Sequence, residues 1–286
     1  MTENVRTETR TRGSNPSIVR TSDGVVVIDT PQLPTQAVAM RKLAESTGPI
    51  RYVMNTEHHC DHIFGNYYFQ DVAPVVHHQE IADNFMLLEP TLDPYDFVAE
   101  SVRTQDAPGL ALFPAREAYF ADLKRADITF AQDVSLQVGG HTFELLHTPG
   151  HTPGQTAVYV PEERVVFTGD TIFSGCQTWL MSSDVGEWLD SLNKIAALDV
   201  DYVVPGHGPV TDLSYIRVQR ACLIQWVSAV ANAVAGGWSR EETIARVNPG
   251  ADLPVDVGLE SLRDHISTLN AASLWDKLTS TAVTGI

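Results

Sequence analysis

The chain has few basic residues for its length. Of its 286 residues, 19 are lysine or arginine and 36 are aspartate or glutamate, which gives a formal net charge of −17 at pH 7. Nucleic-acid binding depends on basic side chains that neutralise phosphates, so this deficit argues against a nucleic-acid partner. It also disfavours attraction to anionic membrane surfaces. A small organic substrate fits this composition better.

Cysteines and extended apolar stretches are also scarce. The three cysteines, Cys60, Cys176 and Cys222, form no CxxC pair and no even set for a disulfide framework, so a reduced, cytoplasmic setting is expected. No stretch approaches the roughly 18 apolar residues that cross a bilayer, which predicts no membrane span. Residues 1–15 are polar and are predicted to form a flexible N-terminal tail before a single domain over residues 16–286.

The first part of the chain alternates between predicted strands and helices. Residues 25–28 and 51–54 are typical of strands, while residues 35–46 have helical spacing. Residues 79–127 are broken by prolines into short helical pieces rich in Leu, Phe and Tyr, which indicates an insertion able to form a lid. After several short strands the chain becomes mainly helical, so residues 211–286 are predicted to form a C-terminal helical extension.

Residues 55–62, Asn-Thr-Glu-His-His-Cys-Asp-His, follow a predicted strand and are rich in potential metal ligands. Glu57, His59, Asp61 and His62 form the pattern E-x-H-x-D-H. Alternate side chains of an extended segment share a face, so the first three are expected on one side of it. His62, just beyond, is expected to turn back toward a second metal ion.

Three further potential ligands each lie in a glycine-rich turn, and they are His151, Asp170 and His207. Oxygen and nitrogen donors in these three turns and in residues 55–62 predict a metal site. Two metal ions about 3.5–4 Å apart, bridged by an aspartate and a water, would hold a hydroxide at neutral pH. They would also polarise a carbonyl, phosphoryl or sulfuryl oxygen.

Four motifs of this chain resemble those of the metallo-β-lactamase superfamily. They are His-Cys-Asp-His at 59–62, Thr-Pro-Gly-His-Thr-Pro-Gly at 148–154, Phe-Thr-Gly-Asp at 167–170 and Val-Val-Pro-Gly-His-Gly-Pro-Val at 203–210. The resemblance covers about residues 16–210. It implies a mixed α/β (α+β) fold, a four-layer αββα sandwich with the metal site at one edge of its two sheets.

The resemblance also implies two divalent metal ions, most suitably zinc, held by seven side chains. These are Glu57, His59 and His151 for the first ion, Asp61, His62 and His207 for the second, and Asp170 as the bridge. The implied function is a metal-dependent hydrolase of a small ester, lactone, thioester or amide-type bond, with a metal-bridging hydroxide as nucleophile. Asp61 would be the catalytic residue that orients this hydroxide and helps to shuttle a proton.

Glu57 departs from the family pattern, which usually has histidine at this position. A carboxylate is a harder, anionic ligand and shifts the preference from zinc toward iron or manganese. Three interpretations stay open: Glu57 is a true ligand, His58 binds instead through a slipped register, or the site is weakened or holds a single metal ion. An iron-dependent dioxygenase or other oxidoreductase on the same scaffold is therefore the alternative function. A non-catalytic metal-binding or ligand-sensing protein is a further class.

The residues around the substrate are harder to assign from sequence. Trp179 closely follows the Asp170 loop and is predicted to form a pocket wall, whereas His265 has no supporting cluster. Three tryptophans of the C-terminal extension, Trp226, Trp238 and Trp275, are candidate anchors of a homodimer.

Replacing Glu57 with histidine tests its assignment as a metal ligand. We expect Glu57→His to shift the metal preference toward zinc, because imidazole suits zinc better than a hard carboxylate does. Elemental analysis after reconstitution with zinc, iron and manganese measures the change. An unchanged stoichiometry and metal preference would remove Glu57 from the ligand set.

Overall fold

Two β-sheets lie face to face in the computed structural model, which describes residues 1–86, 92–122 and 125–280. The first sheet has six strands in the order β1-β2-β3-β4-β5-β6, antiparallel from β1 to β3 and parallel from β3 to β6. These strands are β1 (Val5–Thr7), β2 (Ser17–Thr21), β3 (Gly24–Ile28), β4 (Ile50–Met54), β5 (Val75–His78) and β6 (Ile128–Phe130).

The second sheet has five strands in the order β11-β10-β9-β8-β7. Only the β10 and β11 pair is parallel within it, and the remaining pairs are antiparallel. These strands are β7 (Val134–Val138), β8 (His141–His147), β9 (Thr156–Val160), β10 (Val165–Phe167) and β11 (Tyr202–Val204).

Nine α-helices occur within the part of the chain that the structure describes. They are α1 (Pro34–Thr47), α2 (Cys60–Ile63), α3 (Gln79–Asp83), α4 (Pro94–Gln105), α5 (Arg116–Asp122), α6 (Val185–Ala196), α7 (Tyr215–Ala235), α8 (Arg240–Arg246) and α9 (Arg263–Ser280). Short 3-10 helices add Phe64–Tyr68, Ala107–Ala111, Pro161–Glu163, Gly169–Thr171 and Glu260–Leu262.

Strand β3 shows how the sequence builds the layers. All five of its residues are buried, as expected for a continuous aliphatic run covered on both faces. Val26 and Ile28 pack into the core between the two sheets, whereas Val25 and Val27 pack against α1 on the outer face. The alternation of side chains along the strand thus places one helical layer outside the first sheet.

The outer face of the second sheet is covered in the same way. Trp188 and Leu192 of α6 are buried with Leu223 of α7 in one cluster, which also contains Val166 and Val203 of the sheet. Helix, sheet, sheet and helix therefore form the four-layer αββα sandwich, and the predicted fold is confirmed.

Short helices fill the stretch predicted to be an insertion over residues 79–127. Helices α3, α4 and α5 lie within it, and β6 resumes the first sheet at Ile128. Phe64 stacks on Tyr119 at 4.4 Å between ring centroids and on Phe113 at 5.6 Å, which ties this stretch to the segment after the predicted ligands. Residues 87–91 and 123–124 of the predicted insertion lie outside the described part.

The prediction of a flexible tail over residues 1–15 is corrected by the structure. Strand β1 pairs with β2, and Thr11, Arg12, Ser14 and Asn15 are buried. The Asn15 Nδ2 atom donates hydrogen bonds to the carbonyl oxygens of Pro205, at 3.0 Å, and Gly208, at 2.8 Å. These polar residues are ordered through hydrogen bonds to backbone carbonyls, which composition does not reveal.

Helices α7, α8 and α9 pack on one another, and their apolar side chains join or pack against a cluster that includes residues of the second sheet. Trp226 is 4% exposed there, and Trp238 and Trp275 are partly buried against the same cluster. The three indoles thus pack within their own chain, and the homodimer through the C-terminal helices stays a prediction. Among residues 1–86, 92–122 and 125–280, no helix is long and apolar enough to cross a membrane.

Replacing Asn15 with alanine tests how firmly the N-terminal segment is attached. We expect Asn15→Ala to lower the free energy of unfolding by about 1–3 kcal/mol, because two buried carbonyl groups lose their donor. Chemical denaturation measures the change, with Asn232→Ala on the exposed face of α7 as the matched control. A loss no larger than that of the control would contradict the role given to Asn15.

Candidate metal centre

The segment that carries the first four predicted ligands is a tight turn and a short helix. Strand β4 ends at Met54, and α2 begins at Cys60, with His59 at its N-cap position. The expectation that an extended segment aligns Glu57, His59 and Asp61 is therefore wrong in its backbone geometry. The three side chains still converge, because the turn and the helix start redirect them.

Asp29 holds this turn from the end of β3. Its two carboxylate oxygens accept hydrogen bonds from the Thr56 amide, at 2.8 Å, and from the Thr56 hydroxyl, at 2.7 Å. The second of these oxygens also lies 2.9 Å from His62 Nδ1. Asp29 has a backbone φ of 55°, a left-handed conformation that costs a non-glycine residue about 1–2 kcal/mol. The strain is tolerated because it directs one carboxylate at both the turn and an imidazole.

The remaining predicted ligands follow strands of the second sheet. His151 lies beyond β8, Asp170 beyond β10 and His207 beyond β11. Gly206 lets two of these loops meet, since a Cβ atom at this position would lie 1.9 Å from Asp170 Oδ1. The glycine before His207 is thus required by the close approach of Asp170.

The seven side chains form two adjoining groups, within each of which one donor atom per residue lies no more than 4.8 Å from the others. The first group comprises Glu57, His59, His151 and Asp170, and the second comprises Asp61, His62 and His207. His62 Nε2 lies 3.2 Å from Glu57 Oε1 and 3.2 Å from Asp170 Oδ1, so the groups share a boundary. This division matches the predicted sets, and Asp170 contacts both of them.

Glu57, rather than His58, enters the first group. Its carboxylate lies 2.9 Å from His59 Nδ1 and 3.6 Å from His151 Nε2. The His58 ring packs edge-on against His59 outside the group, and burial lowers the pKa of His58 to about 2. The structure therefore gives no geometric support to the slipped register.

The donor set fits divalent cations. The side chains of Glu57 and Asp170 are 0% and 5% exposed, and Glu57 Oε2, His62 Nε2 and Asp170 Oδ1 are buried without a hydrogen-bond partner. Buried carboxylates and imidazoles without partners are costly unless something satisfies them. A mixture of carboxylate oxygens and imidazole nitrogens suits zinc, iron or manganese.

The carboxylates and imidazoles of the two groups shift one another's pKa values. Burial opposes charge on His62, but Asp170, Asp29 and Glu57 raise the pKa of His62 well above its ordinary value. Burial likewise opposes charge on Asp170, but His207 and His62 hold its pKa well below the ordinary value. The histidine contribution to stability is present at low pH and is lost as pH rises through the raised pKa. The aspartate contribution is lost as pH falls through the lowered pKa.

Each of three imidazoles is fixed by a partner on its second nitrogen. His62 Nδ1 contacts Asp29, His151 Nδ1 lies 3.1 Å from the Trp179 carbonyl, and His207 Nδ1 lies 2.9 Å from Asp256 Oδ2. Such contacts set the orientation and tautomer of metal-binding histidines. Sequence reasoning missed Asp29 and Asp256. An acid directly after a buried strand could have indicated Asp29, but no motif marks Asp256.

A cavity of about 150 Å³ lies directly above the ligand groups. His59, Asp61, His151, Asp170 and His207 line its floor. We call its apolar side the outer wall, and it consists of Leu92, Phe97, Trp179, Met181, Leu259, Leu262 and Leu269. Side chains from the insertion, from the loop after Asp170 and from the C-terminal extension thus meet above the floor.

Several residues of this cavity bear on the sequence predictions. Trp179 lines the cavity, which confirms its predicted place in a pocket wall. His265, for which sequence reasoning found no supporting cluster, lines it as well, together with Cys60 and Gln32. Cys60 reaches the cavity from the first position of α2.

One carbonyl joins the segments that surround the cavity. The Gly258 oxygen accepts a hydrogen bond from Arg12 Nη1, at 3.0 Å, and another from Gln105 Nε2, at 2.9 Å. Arg12 belongs to the N-terminal segment and Gln105 to the last turn of α4. The Arg12 guanidinium also lies 5.3 Å from the centre of the Phe97 ring.

Two facing sheets, outer helices and a buried carboxylate and imidazole cluster at strand ends define a metalloprotein of the αββα class. The family model described as the metallo-beta-lactamase superfamily matches residues 9–207. The chain therefore belongs to the metallo-β-lactamase superfamily, as the four sequence motifs predict.

The individual relatives share about a quarter of their aligned residues with this chain. The chain is 26% identical over 204 residues to a beta-lactamase-like protein 2 homolog of Caenorhabditis elegans. This alignment covers 70% of this chain and 58% of that protein. It is 28% identical over 216 residues to the human acyl-coenzyme A thioesterase MBLAC2, covering 66% of this chain and 71% of that protein. A metallo-beta-lactamase family protein of Thermus thermophilus superimposes with a TM-score of 0.66 at 19% identity, covering 99% of this chain and 95% of the other. This last likeness concerns the fold alone.

Replacing Asp256 with asparagine tests its control of His207. We expect Asp256→Asn to weaken metal binding about 10- to 100-fold, because the imidazole loses its anionic partner. Competition with a chromophoric chelator measures the affinity, and thermal unfolding of the metal-free protein checks the fold. Asp252→Asn, exposed in the same loop, is the matched control. Equal affinities of the two variants would show that Asp256 does not act through His207.

Proposed function

We propose that the protein is a metal-dependent hydrolase of a small organic substrate with an ester, lactone, thioester or amide-type bond. The observation that carries this proposal is the floor of the cavity, where seven carboxylate and imidazole side chains meet in two adjoining groups. The human relative is named an acyl-coenzyme A thioesterase, which supports hydrolysis of an acyl bond.

Two divalent cations are the expected cofactors, one in each ligand group. Zinc suits the four imidazoles, and the carboxylate of Glu57 makes iron or manganese suitable as well. When bound, such cations lower the pKa of water and polarise a carbonyl oxygen. The outer contacts of His62, His151 and His207 would hold these ligands in place.

Asp61 is the best candidate for proton transfer in this chain. Its side chain is 20% exposed, more than those of Glu57 and Asp170, and it lines the cavity. Burial opposes its charge, but His62 and His207 lower the pKa of Asp61 below the ordinary value. An ionised carboxylate facing the substrate can accept a proton from the attacking water and pass it to the leaving group.

A redox reaction is the second candidate, and the presence of Glu57 in the first ligand group favours it. That group then offers two carboxylates and two imidazoles, a donor set that also suits iron. Iron in the purified protein together with oxygen consumption would support this candidate. A colourless zinc or manganese protein that consumes no oxygen would discard it.

Metal-loaded protein is expected to hydrolyse members of a panel of esters, lactones and thioesters. We expect Asp61→Asn to lower kcat by about 100- to 10,000-fold, because a positioned proton acceptor is lost. Initial rates and metal content are measured together, so that loss of a cation is distinguished from loss of proton transfer. Asp190→Asn, on the exposed side of α6, is the control. Fully loaded protein with no more turnover than chelator-treated protein would overturn the proposal.

A further inference from the structure

The outer wall of the cavity indicates what kind of substrate reaches the floor. Its side chains are leucines, a methionine, a phenylalanine and a tryptophan, and they come from three separate parts of the chain. Leu259 is buried, and Leu262 and Leu269 are half-buried beside it. Burial of an apolar part of a substrate against such a surface favours binding by about 25 cal/mol per Å² of apolar area.

Lysine and arginine are missing from the described part of the same surface. Among the residues that the structure describes, no lysine or arginine lines the cavity, and its carboxylates are those of Asp61 and Asp170. Arg12, which lies 5.3 Å from the Phe97 ring of the wall, is 6% exposed, donates to the Gly258 carbonyl and does not line the cavity. An anionic group on the outer wall would therefore lose its hydration without gaining an ionic partner.

Besides the floor residues, the described polar side chains at the cavity are the exposed His265, Cys60 and the neutral amide of Gln32. Gln32 is 1% exposed, its Nε2 atom lies 3.3 Å from Cys60 Sγ, and its Oε1 atom is buried without a partner. The oxygen and nitrogen of a glutamine amide can be assigned in either orientation. In both orientations one of the two atoms contacts Cys60 Sγ and the other has no hydrogen-bond partner. This amide recognises an uncharged hydrogen-bonding group and provides no counter-charge.

We propose that the substrate is an uncharged ester, lactone or thioester whose apolar acyl or aryl part lies on the outer wall. The inference rests on the proposed hydrolase function and narrows its substrate class. A carboxylate or phosphate on the part of the substrate that lies on the outer wall is disfavoured by the cost of placing that charge against the leucines. The outer wall, contributed by the insertion and the C-terminal extension, determines this specificity.

A matched pair of aryl butyrates tests the charge preference. The para-carbamoylphenyl ester is neutral, and the para-carboxyphenyl ester has the same shape and carries one negative charge. We expect the metal-loaded protein to favour the neutral ester by at least about tenfold in kcat/KM, after correction for the alkaline hydrolysis rates of the two esters. Equal values, or a preference for the anionic ester, would overturn the inference.

A charge introduced on the wall tests the role of that surface. We expect Leu262→Arg to reduce the preference for the neutral ester by about tenfold or more, because the guanidinium supplies the missing ionic partner. Leu110→Arg is the control, since Leu110 is 52% exposed and does not line the cavity. An unchanged preference in a folded Leu262→Arg protein would show that the wall does not set the specificity.

Binding without turnover separates this inference from the proposed function. Ketone analogues of the two esters, in which a methylene group replaces the ester oxygen, are titrated calorimetrically against metal-loaded wild-type protein. Tighter binding of the neutral ketone by at least about tenfold supports the inference even if neither ester is hydrolysed, in which case the hydrolase proposal alone fails. Equal binding of both ketones, binding of the anionic one only, or binding of neither would overturn it.

Discussion

Three carboxylates lie close together at one edge of this sandwich, and the contacts of the surrounding residues compensate their negative charge. Glu57 and Asp170 are almost fully buried, and Asp61 lies beside them. Carboxylates in such surroundings need cations, and in the metal-free protein the raised pKa values of His62 and His207 provide them. The same donors are suited to exchange those protons for metal ions, since metal binding releases the protons of its ligands.

Outside the ligands, the contacts that fix the site come from segments far apart in sequence. Asp29 clamps the turn after β4 and one imidazole, and Asp256 holds His207 from the loop before α9. Residues 11–15 contact the backbone of both the Asp61 and His207 segments, through Ser14 to the Asp61 carbonyl and Asn15 to Pro205 and Gly208. The ligand loops are thereby held from outside the four motifs.

The layers of the fold and the metal ligands could be predicted from the sequence for different reasons. Runs such as residues 25–28 are buried on both faces, so their composition alone indicates a covered strand. The ligands could be named because each belongs to a short motif, either the ligand-rich residues 55–62 or one of three glycine-containing turns. The turn over residues 55–59 could not be predicted, because it is held by hydrogen bonds to Asp29, which is 27 residues from Thr56 in the sequence. Asp256 stayed hidden because it is 49 residues from its partner.

The Gly258 carbonyl links three segments that surround the cavity. Because Arg12 and Gln105 both donate to this one oxygen, the N-terminal segment, the helical insertion and the C-terminal extension share a single fastening point. Outward movement of any one of the three breaks at least one of these two hydrogen bonds. Access of a substrate to the floor therefore depends on all three segments together. A substitution that loosens one of them is expected to increase the mobility of the other two.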